Sequence, residues 1–412
     1  MSRLRAATRH RIQPPPPPPV GGTGTGTVPA VPGGAINVTS APYSAIGNGT
    51  TDDGPAIRAA VTAAGVGGTV YFPAGTYRYV AAGTLQLNGT KMQGAGQTSS
   101  ILLYESTAWS PVAFATGNDV AWKSMQIKRN SAVDIVMFPL QPYSGWTFDD
   151  VLFDGNRGID TGATDVYGFQ IGLGGGTLAS TSFLNSTFKN FSQFPLFQAS
   201  QDAGTTSGFT VRNCLFQNNY HTHLEFNAPS AVCTGLTVEN SSFIGQYGPA
   251  AGGFGVGLAN CKNSVVRYCY FEDGTQEAVH VEDRSDNITV EFNRIVQCGK
   301  LHFSQVQVVS GSTNVRVQHN VIDGTGSKDG QYIAAVAALR GGSPSYPATI
   351  TIDDNTIDQG ANLGVFYECD GVTVTNNRFP GATSLSDGGS IGTVTVFGNA
   401  VGTAWPAGFP GA

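Results

Sequence analysis

Two short stretches gather most of the side chains able to move protons. "AVHVEDR" (278–284) places His280, Glu282, Asp283 and Arg284 within five positions, and "NYHTHLEFN" (219–227) holds His221, His223 and Glu225. Charged residues make up only 12% of the chain, so such crowding stands out. A carboxyl group with an imidazole two positions away suits general acid–base chemistry, provided both side chains share a face. In a strand they do, because alternate residues point the same way. A zinc site from His221, His223 and Glu225 is the alternative that this spacing permits, but no further ligand is evident and no metal is expected. A second acidic patch, Asp154, Asp160 and Asp165, lacks EF-hand spacing and offers at most a calcium site beside the same groove.

The elements that would carry these residues follow from a repeat. An apolar residue is followed five positions later by another, with a small residue or Asn three positions after the first: "FLNSTF" (183–188), "VRNCLF" (211–216), "VENSSF" (238–243), "VRYCYF" (266–271), "VEFNRI" (290–295) and "VQHNVI" (317–322). Twelve such stretches start between 87 and 396, spaced 22 to 35 residues apart. A sustained repeat of that length with strand-like alternation is the pattern of a solenoid, each repeat one coil of a parallel β-helix. In the last coils the third step holds Asn293, Asn320, Asn355, Asn377 and Asn399, which in register would form an amide ladder along the axis. "DDGPAIRAAVTAAG" (52–65) breaks the strand pattern: Asp53 as N-cap, Pro55 in the first turn and Ile57, Ala60, Val61 and Ala64 on one face predict a helix closing the first coil.

Composition narrows the partners. Net charge is −6, and because four arginines and no acid lie in residues 1–51, the remainder carries 18 basic against 28 acidic groups, net −10. That sign repels a phosphate backbone, so no nucleic-acid partner is expected. No apolar run is long enough to span a bilayer. Six cysteines without paired spacing read as small buried residues. Residues 1–35, with Pro14 to Pro19 and a Gly/Thr run, read as a basic anchoring tail or linker; 36–402 form the β-helix; 403–412 close its last coil. The basic start has no hydrophobic stretch after it, so a Sec-type leader is not expected.

The stretch "AIGNGTTDDGPAIRAAVTAAGVGGTVYFPAGTY" (45–77) resembles the N-terminal signature of the pectate-lyase-like right-handed parallel β-helix superfamily, which includes bacteriophage tailspike depolymerases. The resemblance implies an all-β, right-handed solenoid with a short N-terminal capping helix. It also implies a polysaccharide as substrate or receptor, a homotrimer, and a tail able to attach to a virion, hence work at a virion surface or outside the cell. "NYHTHLEFN" is similar to the Y-G-x-D-P-H-E motif of mannuronan epimerases only in its aromatic, one His and the Glu, so that site is not carried over.

Strand alternation then assigns faces. Ile171, Phe197, Leu224, Val256, Val279, Val281, Val306 and Val308 are expected inside, and Gln170, Gln198, His223, Glu225, Gly255, Gly257, His280, Glu282, Gln305 and Gln307 outside. Amides and carboxylates in one stripe suit hydroxyl-rich sugars. Glu225 and Glu282 are expected in one column, two coils or ~9.6 Å apart, a spacing open to an inverting glycosidase pair and less to a retaining one. Glu225 and Glu282 are the expected catalytic couple, with His223, His280, Asp283, Gln170, Gln198 and Gln307 contacting substrate and Arg284 gripping an acidic sugar. Three functions remain open: a polysaccharide hydrolase or lyase of the depolymerase kind, a non-catalytic glycan-binding spike, and an extracellular epimerase or lyase.

Overall fold

The computed structural model describes residues 31–401, apart from 81–84, 106–116, 132–134, 141–142, 160–164, 173–174, 199–203, 228–230, 247–252, 303, 324–333, 342–344, 359–362 and 380–383. The expected tail up to residue 30, Asp160 and the C-terminal cap lie outside the described residues.

Strands dominate, and each pairs in parallel with the strand one coil earlier and one coil later. The repeated six-residue stretch turns out to be a corner. Its first apolar residue belongs to one column (Phe183, Val211, Val238, Val266, Val290, Val317), its last to the next (Phe188, Phe216, Phe243, Phe271, Ile295, Ile322). Both columns face a dry interior. Phe188, Phe216, Phe243 and Phe271 stack ring on ring with centroids 4.6 to 4.8 Å apart, the strand spacing of the sheet.

The bend between the two columns has a backbone cause. The residue two after each first apolar position lies in the left-handed region: Asn185, Asn213, Asn240, Tyr268, Phe292, His319, Asp354 and Asn376 all have φ between 46° and 57°. Asn and Asp tolerate that conformation well, whereas Tyr268 and Phe292 occupy it at a cost. The next residue turns inward and repairs the hydrogen bonds broken at the corner. Asn355 Oδ1 accepts from the backbone N and the Nδ2 of Asn320, both at 3.0 Å, while Asn355 Nδ2 donates to the Val317 carbonyl at 2.9 Å. The same pattern runs from Asn293 to Asn399, forming the expected ladder.

One helix, Gly54–Ala64, covers the first coil and buries Ile57, Ala60 and Val61. Asp53 is its N-cap, but its carboxylate makes no cap bond; it accepts from Ile46 N (2.7 Å) and Gly47 N (3.1 Å), pinning the preceding loop instead. All six cysteines are buried free thiols. Among the described residues no helix is long and apolar enough to cross a membrane.

Candidate active site

A sheet of ten strands forms the face that carries the acid–histidine clusters. Its register sets Gln170, Phe197, Glu225, Gly257, His280 and Gln307 in one file, one residue per coil. The files on either side are lumenal and apolar: Phe169, Leu196, Leu224, Val256, Val279 and Val306 on one, Phe226, Leu258, Val281 and Val308 on the other, all buried. The central file therefore points outward.

This register corrects several expected orientations. Phe197, not Gln198, pairs with Glu225 and takes the outward place; Gln198 pairs with Phe226, is 2% exposed, and donates from Nε2 to the Gly204 carbonyl. It is a lumenal amide, not a substrate contact. His223, Gly255 and Ala278 stand just before their strands, at a corner where alternation has not begun. His223 is fully buried, accepts at Nδ1 from Asn219 Nδ2 (3.0 Å), and lies 6.0 Å from the lumenal rings of Phe216 and Phe243. Burial pushes its imidazole down to about 3, so it stays neutral and cannot touch substrate. Gln305 is likewise buried, its Oε1 accepting from Cys298 N.

Glu225 lies in the outward file yet is only 7% exposed. Asn227 Nδ2 donates to its Oε1 at 2.9 Å, and the buried Thr222 hydroxyl lies beside it. Burial raises the carboxyl pKa to about 7; the charge of Glu282 adds to this, while the Asn227 and Thr222 hydrogen bonds and the charge of His280 oppose it. At neutral pH Glu225 is poised to hold and release a proton.

Gly257 separates Glu225 from His280, and its missing side chain matters. A Cβ there would stand 3.1 Å from Glu225 Cγ and 3.1 Å from the Phe254 ring, so both side chains close over the glycine on the outer face. Phe254 continues onto His280, stacking at 4.3 Å and 20°.

His280 is held between two carboxylates. Glu282 Oε2 is 3.3 Å from Nε2, and Glu277 Oε1 is 3.8 Å from Nδ1, an ion-pair distance too long for a hydrogen bond. Burial alone would lower the imidazole, but Glu277 and Glu282 together raise it to about 10, so His280 is a cation. Glu277 is fully buried; despite burial, its hydrogen bond with His302 and the nearby His280 imidazole hold its carboxyl below the usual range. Sequence reasoning missed Glu277, which precedes its strand at the same corner that hides His223.

The expected Glu225–Glu282 column is a diagonal. Glu225 aligns with His280, whereas Glu282 aligns through Ala259 with Asn227, two residues further along. Two coils and two residues make a backbone separation of ~12 Å. Glu225 leans over Gly257 and Glu282 leans back onto His280, so the carboxyl groups converge on the same outer patch. Gln307, next in the file above His280, is 4% exposed with Oε1 lacking a hydrogen-bond partner among the described residues.

The other candidates lie apart. Asp283 and Arg284 form a left-handed turn (φ 50° and 63°) in which the Arg284 carbonyl accepts from Lys262 Nζ and Arg284 N donates to Ser310. Gln170 is outward, two coils before Glu225. The zinc alternative fails because His223 turns inward while His221 lies against Phe194, ring centroids 4.1 Å apart. Asp154 accepts from Asn156 N and Asn190 Nδ2, and Asp165 accepts from Gln193; Asp160, the third residue of the calcium alternative, lies outside the described residues. No cluster of three metal-ligating side chains occurs among the described residues.

Residues 140–322 match the family described as "Right handed beta helix region". The fold is a right-handed parallel β-helix. This β-helix is similar to the A-module of the Azotobacter vinelandii mannuronan C-5 epimerase AlgE6, at 18% identity and a TM-score of 0.57, over 90% of this chain and 100% of that one. The catalytic unit of a GH87 alpha-1,3-glucanase from Streptomyces thermodiastaticus gives 17% and 0.53, over 92% and 71%. PfbA, a surface adhesin of Streptococcus pneumoniae, gives 16% and 0.60, over 86% and 91%. At these identities the likeness is one of fold. No curated protein matches the chain by sequence.

Proposed function

We propose that this β-helix binds a polysaccharide along the outer face of its ten-stranded sheet and hydrolyses it with inversion. Glu225 donates a proton to the leaving glycosidic oxygen, and Glu282 activates the water that attacks from the opposite side of the sugar. The observation that carries this is the pairing of environments: a nearly buried carboxyl with its pKa at about 7, beside a quarter-exposed carboxylate held by a cationic imidazole. A nearly buried carboxyl that holds its proton near neutrality, set beside a more exposed carboxyl, is what acid and base roles require. His280 fixes Glu282, and Gln307 offers an amide to sugar hydroxyls.

A neutral glycan fits better than a uronate. The patch holds Glu277 and Glu282 against His280, and residues 52–412 carry net −10, so an anionic polymer meets repulsion. The epimerase and lyase readings, which need a uronate, are weakened on that ground. A glucanase among the similar structures, another of which is titled as a complex with nigerose, supports a neutral substrate class. The non-catalytic reading keeps one observation of its own: Glu225 is 7% exposed and would meet substrate only at its edge. Incubating the protein with neutral and acidic bacterial glycans separates the readings, because hydrolysis yields reducing ends, elimination yields unsaturated sugars and a binder yields neither.

The superfamily resemblance extends the proposal to assembly. The protein works as a homotrimeric spike at a virion surface or outside the cell, residues 1–35 linking it to the particle. Light scattering of the full chain and of one starting at residue 36 tests trimer and tail separately.

A further inference from the structure

Three aromatic side chains crowd the outer face just before Glu225, where a water-facing surface gains nothing from them. Tyr167 and Phe194 lie parallel within 5°, with centroids 6.1 Å apart. Phe197 is 4.7 Å from Tyr167 and 5.3 Å from Phe194, with ring planes within 34°. His221 extends the group from the next coil, 4.1 Å from Phe194. These rings are not lumenal, for the interior of the same coils is filled by Phe169, Leu196 and Leu224. Tyr167 and Phe194 remain half-buried rather than covered.

Their place in the register points to a ligand. Phe197 pairs directly with Glu225, one coil or ~4.8 Å away along the axis. On the other side of Glu225, Phe254 lies over Gly257 and stacks on His280. The proton-holding carboxyl thus sits between two aromatic surfaces, with the unpartnered, buried Oε1 of Gln307 beyond. An aromatic face receives the C–H face of a sugar ring while hydroxyls at the ring's rim reach neighbouring amides and carboxylates.

We infer that Tyr167, Phe194 and Phe197 form a stacking subsite for one neutral pyranose ring of a glycan that runs along the helix axis across Glu225. The inference rests on the proposed glycan-hydrolysing site and adds the direction of the chain and a recognition element before the cleavage point. A peptide adding as a strand is disfavoured because the strands at the site, Leu196–Gln198 and Leu224–Asn227, are each paired on both sides and present no free edge.

The test uses the full chain carrying Glu225→Gln, so that ligand survives. It is probed on an array of neutral gluco-, galacto- and manno-hexasaccharides and their uronate counterparts, followed by calorimetry with the tightest binder. Phe194→Leu and Tyr167→Leu keep apolar volume but lose the π face; each is expected to weaken binding about tenfold or more. Phe194→Tyr is expected to stay within about twofold, and all three are compared at matched melting temperature. Unchanged affinity in both Leu variants overturns the subsite and leaves the hydrolytic reading standing. Binding of uronates alone overturns the neutral assignment. An array that captures nothing overturns the glycan reading, and the subsite with it.

Discussion

Glu225 and His280 stand in one outward file with only Gly257 between them, so a carboxyl poised near neutrality faces an imidazolium across a notch. Much of the expected behaviour follows from that pair.

Removing the proton of Glu225 should end cleavage without loosening binding. Glu225→Gln is expected to lower kcat by about 10²–10⁴, with glycan affinity retained. Wild-type activity should fall as pH rises through about 7, where the donor loses its proton. Stability moves the same way: a carboxyl whose folded pKa is raised binds its proton more tightly in the fold, so its contribution is complete below about 4.5 and lost as pH rises through about 7. Denaturant titrations at pH 5 and 8 should therefore show a smaller decline in the Gln variant than in wild type.

Glu277 never reaches the outer face, and acts through His280. Glu277→Gln should lower the imidazole pKa from about 10, which NMR titration of His280 reads directly. The raised imidazole contributes stability below about 6.5 that is lost as pH climbs through about 10, so the variant should lose its advantage earlier on the alkaline side. An unmoved His280 titration would show that Glu277 is merely a buried partner of His302.

The notch at Gly257 should be sensitive to a single methyl group. Its backbone is not left-handed, so Gly257→Ala adds no strain there, but the new Cβ meets Glu225 Cγ and the Phe254 ring at 3.1 Å. Displacement of Glu225 is expected to cut kcat/KM by ~10–100-fold while the melting temperature barely changes. Steady-state kinetics and calorimetry on one preparation check both.

The amide ladder should fail from the middle. Asn355→Ala leaves the Asn320 backbone N–H and the Val317 carbonyl without their side-chain partner in the lumen, a loss of about 2–6 kcal/mol at ~1–3 kcal/mol for each buried unpaired group. Asn399→Ala leaves the corresponding N–H of Asn377 near the partly exposed last coil, so chemical denaturation should show a smaller loss.

The coils, their columns, the helix and the ladder were legible in the sequence because each repeats a local rule many times. The site was legible only where alternation holds. Glu225, His280, Glu282 and Gln307 lie within strands, and their parity is set by apolar neighbours on both sides. His223 and Glu277 precede their strands, where the corner resets the direction of the side chain, so alternation sent the first outward and overlooked the second; Gln305 lies within its strand but is buried, its amide accepting from Cys298 N. The three-residue strand Leu196–Gln198 offered too little pattern: Phe197 looked lumenal by its chemistry, and only pairing with Glu225 shows it outward. That one-residue slip also hid the aromatic platform.

Product analysis is the most direct test of the central claim, that Glu225 donates the proton in a hydrolysis. Wild type and Glu225→Gln are each incubated with neutral bacterial glycans, and new reducing ends, their anomeric configuration and ultraviolet-absorbing unsaturated sugars are followed together. The account predicts reducing ends of inverted configuration from wild type and none from the variant. Unsaturated ends, retained configuration or full cleavage by Glu225→Gln would contradict it.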